Sequence, residues 1–132
     1  MKTQAVDSLK YANSYFSTVS HELESSSRRF DNDLLYNMIC MSFEKFFVSL
    51  LARYDWNSES HLPLRMYKEA QPFESELTEN MKKTAILIGS FEAICSVDGF
   101  GYKSPSNDDL ATMVSGLNEI RELVEKRISE IN

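Results

Sequence analysis

A chain of 132 residues and 15.2 kDa suits one domain, long enough to bury a core without metal or disulfide staples. Hydrophobic residues at 42% and charged residues at 26% are ordinary folded composition, which excludes a disordered or fibrous chain. The formal net charge of −6 repels phosphate backbones, so nucleic-acid binding would need a local basic patch, and the best clusters are pairs: Arg28 with Arg29 and Lys82 with Lys83.

The opening stretch "MKTQAVDSLKYANSYF" carries polar residues at every turn, and no apolar run approaches the ~18 residues of a membrane span. Secretion and membrane insertion are therefore not expected. Ala5, Leu9, Ala12, Phe16, Val19 and Leu23 recur at three- and four-residue steps, with Lys10, Ser17 and His21 on the other side. This spacing predicts an amphipathic helix over 3–24. "ESSSRR" then reads as a loop of weak helix formers, and "FDND" supplies capping side chains for the next start.

The second helix, predicted over 32–55, is apolar on more than one stripe. Leu35, Ile39, Phe46 and Leu50 fall on one face and Phe43, Phe47, Leu51 and Tyr54 on the adjacent one. Leu34, Met38, Met41 and Val48 cover much of the rest, interrupted by Asn37, Glu44, Lys45, Ser49 and Arg53. Such a helix must be packed on several sides, as the centre of a bundle, against a second chain, or both.

Pro63 can open a short helix, "PLRMYKEA", which Pro72 closes. A fourth helix is expected over 74–97, with Leu77, Met81, Thr84, Ile88, Phe91 and Cys95 as its stripe and Glu92 near it. "DGFGYKSPSNDD" breaks the pattern, and Ser106 with Asp109 begins the last helix in capping-box fashion. Leu110, Val114, Leu117, Val124, Ile128 and Ile131 form its apolar line, with Arg121 inside it. The fold class is all-α: an antiparallel four- to five-helix bundle forming a single domain over 1–132.

The residue types exclude more chemistry than they suggest. Cys40 and Cys95 stand 55 positions apart without CxxC spacing or a nearby histidine, and read as core thiols of a reducing cytoplasm. Glu-x-x-His elements of a dinuclear metal bundle are missing, as is a G-x-S-x-G elbow. No metal or cofactor is expected. "DGFGYKS" has two glycines and a lysine ahead of a helix but not the GxxxxGK[ST] spacing, and reads as a turn. Phe100 and Tyr102 in it are expected to dock on the bundle or a partner. Glu92 and Arg121 are candidates for an ion pair between neighbouring helices.

"RYDWNSESH" holds the one candidate catalytic pair, Arg53 for phosphate charge and His61 as general acid or base. Both also have structural roles open to them: Arg53 at a helix C-terminus, where the dipole favours a cation, and His61 at the start of the next helix.

"MSFEKFFVSLLARYDWNSESHLPL" and "GYKSPSNDDLATMVSGLNEIRELVEKRI" resemble the HEPN family of small helical domains proposed to bind nucleotides. In that family the second long helix carries a run like A-E-K-x-L-K-A-L-L, then a loop and a T-H-x-L start. Glu44, Lys45, Leu50, Leu51, His61 and Leu64 occupy comparable places, and Tyr102 with Pro105 matches the late Tyr-x-x-Pro loop. Val48 replaces a lysine common in relatives. The R-x4-6-H pattern of the family's ribonucleases is absent: seven residues separate Arg53 from His61, and "KKTAILIGSFEAICSVD" has neither arginine nor histidine.

The resemblance implies a homodimer built across bundle helices, and a non-catalytic binding module for a nucleotide or for a protein partner. A nucleotidyltransferase of the family's two-gene, toxin–antitoxin-like pairs is an example of such a partner. No catalytic residue is assigned. Arg53, His61, Arg65, Tyr102 and Lys103 form the expected ligand-binding set. The dimer face is expected near Phe43, Phe47 and Leu51 or near Met38 and Met41. The alternative is a divergent ribonuclease or nucleotide-handling enzyme using Arg53, His61 or Arg65 in a composite site across the dimer.

Overall fold

The structure, a computed structural model, describes residues 2–95 and 104–131, with side chains of 92–95 outside the description. Among the described residues five helices appear in chain order: α1 (Lys2–Glu24), α2 (Asn32–Arg53), α3 (Pro63–Ala70), α4 (Glu79–Cys95) and α5 (Asn107–Ser129). No strand occurs among the described residues. The chain is an all-α helical bundle.

Local signals set most boundaries. Asp31 caps α2 by accepting the Leu34 N–H at 2.8 Å, and Pro63 sits at the first position of α3. Ser106 and Asp109 make a full capping box on α5, with reciprocal bonds of 3.0 and 2.9 Å. Two boundaries differ from expectation. The α2 helix ends at Arg53 because Asp55 takes a left-handed conformation, φ 57°, and the Trp56 N–H turns back to the Leu51 carbonyl at 2.9 Å. The α4 helix starts at Glu79 and not near 74, since Thr78 caps it by accepting the Met81 N–H at 3.1 Å. The turn before it is held by a buried Glu74.

Helix α2 is the hub, packed against α1, α3 and α5, while α4 packs on α3 and α5. Ser42 and Ser49 donate their hydroxyls to the carbonyls of Ala12 and Ala5, at 2.9 and 2.6 Å. The two serines and the two alanines are each seven residues apart, which fixes α1 and α2 as antiparallel and lets their backbones come close. Asn32 donates to the Pro105 carbonyl and the Tyr54 and Arg127 side chains share Glu74, so α5 runs parallel to α2 from one end to the other. Gly116 of α5 lies so close to α4 that a Cβ there would run into Thr84.

These contacts cover the Phe43, Phe47 and Leu51 face of α2 within the one chain. Phe43, Phe46, Phe47, Leu50 and Leu51 are all fully buried, and the Phe43 and Phe47 rings stack 4.6 Å apart, with Tyr67 of α3 beyond Phe47. A dimer face at Phe43, Phe47 and Leu51 is excluded. The α2 helix is also long and apolar enough to cross a membrane by length and composition, contrary to the sequence expectation, and 56% of that window is buried inside the bundle.

Candidate functional site

Arg53 and His61 are held apart. The His61 Nδ1 lies 2.7 Å from Glu44 Oε1, with the ring otherwise in solvent, its side chain 88% exposed. Glu44 and Arg53 are nine residues apart on α2, about 14 Å along the axis and half a turn around it. His61 is therefore tied to the opposite face of the helix from Arg53, and the two share no site within one chain. Arg65 is exposed on α3, while Tyr102 and Lys103, with the neighbouring Phe100, lie outside the described residues.

Arg53 instead borders a small cleft of about 280 Å³, lined by Lys2, Ala52, Asp55, Glu130 and Ile131. Its guanidinium lies over the Tyr54 ring, 5.4 Å from the centroid, and its Nε is buried without a hydrogen-bond partner. A larger groove of about 570 Å³ runs between α4 and α5, lined by Asn80, Lys83, Leu87, Ala111, Thr112 and Ser115 among others. Among the described residues no group of three or more His, Cys, Asp or Glu side chains could hold a metal ion.

The Arg28–Arg29 pair offers little to a phosphate backbone. Arg29 is spent on Glu22, a buried carboxylate of α1 that accepts the Arg29 backbone N–H at 2.8 Å and its guanidinium at 3.3 Å. These bonds hold the Glu22 carboxyl below its ordinary range: the backbone bond from Arg29 is the largest cause, and burial opposes it. Arg28 donates to Asn32 and Asn107. Arg121 lies over the Phe16 ring at 5.0 Å and bonds Asn118 and Glu125 of its own helix, and Glu92 is outside the described side chains.

The densest polar cluster was not legible as a site in the sequence. Arg127 of α5 meets Glu74 with Nε and Nη2, at 2.7 and 2.9 Å, and also reaches Glu76. Tyr54 donates its hydroxyl to the same Glu74 at 2.8 Å, and Lys126 pairs with Glu76 at 3.2 Å. Burial pushes Glu74 up, but the bonds from Arg127, the Glu76 N–H and Tyr54 outweigh it and hold the carboxyl below its ordinary range. The same burial, with Glu74 adjacent, pushes the Tyr54 phenol up. Every polar group in this cluster is matched, so it ties α2, the 71–78 turn and α5 together rather than waiting for a substrate.

One apolar surface on α2 remains uncovered. Leu34 and Met41 are 41% and 39% exposed, and Met38 and Val48 are half-buried. With Lys45 they lie on a single line at positions 34, 38, 41, 45 and 48, alternating steps of four and three. That is the a/d spacing of a helix seam. Comparison with protein-family models, with curated proteins and with solved structures finds no match to this chain.

Proposed function

We propose that the chain is a non-catalytic, HEPN-like helical binding module that works in the cytoplasm as a homodimer joined through the outer seam of α2. The observation that carries this reading is the line Leu34, Met38, Met41, Lys45, Val48 on the outer face of α2, on which Leu34 and Met41 are exposed and the other three half-buried. The stripe is self-complementary at three of its five positions. In an antiparallel pairing with a two-fold axis at Met41, Leu34 of one copy faces Val48 of the other, and Met41 meets its own equivalent. The resemblance to HEPN domains supports a nucleotide, or a protein such as a nucleotidyltransferase, as the dimer's ligand. For the nucleotide, the Arg53 guanidinium at the edge of the small cleft offers a cation to a phosphate.

The separation of Arg53 from His61 supports the non-catalytic part of this reading. The proposed pairing does not reunite them, because it sets the His61–Glu44 contact of one copy beside Met38 of the other and not beside Arg53. Light scattering coupled to size exclusion tests the proposal: wild type runs at twice the 15.2 kDa chain mass, and Met41→Glu runs as a monomer with an unchanged helical spectrum. Wild type that stays monomeric at high micromolar concentration overturns it.

A further inference from the structure

Where α2 gives way to the loop before α3, two large rings stand side by side in solvent. Trp56 and Phe73 are each 38% exposed, with centroids 5.6 Å apart. Neither ring is loose. The Trp56 Nε1 donates to Glu69 at 3.0 Å, and Phe73 stacks on Tyr54 at 5.7 Å with the planes 17° apart. Tyr54 is in turn fixed by its bond to the buried Glu74. Exposed aromatic side chains that are already ordered lose little entropy when a partner covers them, which is why such residues dominate binding surfaces.

The segments that carry the rings are acidic, although Arg53, Arg65 and Lys68 flank them. The two segments that carry them, 55–62 and 69–76, contain Asp55, Glu59, Glu69, Glu74 and Glu76 and no lysine or arginine. Glu74 and Glu76 are matched by Arg127 and Lys126. The other three are not. Glu69 accepts from Trp56, Ser58 and the Glu59 N–H, neutral donors that leave its charge in place, and neither Asp55 nor Glu59 forms an ion pair among the described residues. Arg53 lies over the Tyr54 ring, and Arg65, one turn before Glu69 on α3, makes no ion pair with it.

We propose that the Trp56–Phe73 patch is a docking site for a cationic side chain, guanidinium or ammonium, carried by a basic segment of a partner protein. The ring faces attract a cation through their quadrupole, and Glu59 and Glu69 supply the opposite charge beside them. This surface is separate from the α2 seam and does not rest on the dimer.

Trp56 is the chain's one tryptophan, so its fluorescence reports on the patch directly. The full chain is titrated with a short acetylated peptide of arginine and glycine, and with the same peptide carrying citrulline, the neutral counterpart, in place of arginine. The expected result is a saturable change with the arginine peptide, and binding of the citrulline peptide weaker by about two- to five-fold, the size of one exposed cation–π contact. Phe73→Ala and Glu59→Gln each weaken the arginine peptide with the circular dichroism spectrum unchanged, and Met41→Glu binds it as wild type does. Equal affinity for the two peptides, or quenching that never saturates, overturns the proposal. A Trp56 spectrum that depends on protein concentration without peptide also overturns it, by assigning the patch to a second copy of the chain.

Discussion

Arg127 holds the Glu74 carboxylate in a two-pronged grip, Nε to Oε1 at 2.7 Å and Nη2 to Oε2 at 2.9 Å, with the Glu74 side chain wholly shielded from water. The two residues stand 53 positions apart, and the bond closes the bundle end that α2, the 71–78 turn and α5 share. Removing the arginine leaves a buried carboxylate without its counter-charge. Arg127→Ala is expected to destabilise the fold by about 3–5 kcal/mol, and the double variant Arg127→Met, Glu74→Gln by clearly less. Urea denaturation of the two variants measures the difference.

Acid sensitivity follows from the same carboxylate and from Glu22. Both are held below the ordinary glutamate value of 4.5, so the unfolded chain binds their protons first as the pH falls. Their contribution is complete above that value and is lost as the pH drops through the lowered, folded-state values. Thermal stability is expected to be flat with respect to these groups from pH 7 to about 5 and to fall below about 4.5. In Glu22→Gln the acid-side fall becomes shallower, which melting curves across that range will show.

Asp55 ends α2 with φ 57°, a conformation that costs a residue with a Cβ and costs glycine little. Asp55→Gly is expected to raise stability by about 0.5–1 kcal/mol. A melting temperature unchanged or lower would mean that the aspartate side chain compensates for its backbone.

At the α4–α5 crossing the absence of a side chain at Gly116 is what admits Thr84. Gly116→Ala is expected to cost about 1–3 kcal/mol through overpacking. Adding Thr84→Ala should recover part of that loss, because it removes the hydroxyl and methyl that the new Cβ meets first. Denaturation of the single and double variants tests the pairing.

Purified protein is expected not to cleave single-stranded RNA without metal, and His61→Ala to leave stability nearly unchanged. The motivation is the distance between the Arg53 and His61 environments and the exposure of the His61 ring. Cleavage by wild type that either Arg53→Ala or His61→Ala abolishes would refute the non-catalytic reading.

The sequence by itself determined the helices and their caps. Apolar period, Pro63, and the side chains of Asp31, Ser106 and Asp109 act over a few residues, so α1, α2, α3 and α5 start within a residue or so of where local chemistry puts them. The start of α4 was misread because Leu77 continues an apolar line that the Thr78 cap and the buried Glu74 interrupt. Tertiary structure alone decided which faces of α2 are covered. Ser49 reads as a break in an apolar helix, yet it is fully buried and bonds the Ala5 carbonyl across 44 positions. Glu74 and Arg127, which no local pattern in the sequence singles out, are the matched pair that holds the bundle end. Partners so far apart in the chain leave no local pattern, because the free energy of a buried ion pair or hydrogen bond depends on what the fold brings beside it. For the same reason the choice between the Met38–Met41 face of α2 and the Phe43, Phe47 and Leu51 face, and the Trp56–Phe73 patch, emerge only once packing is known.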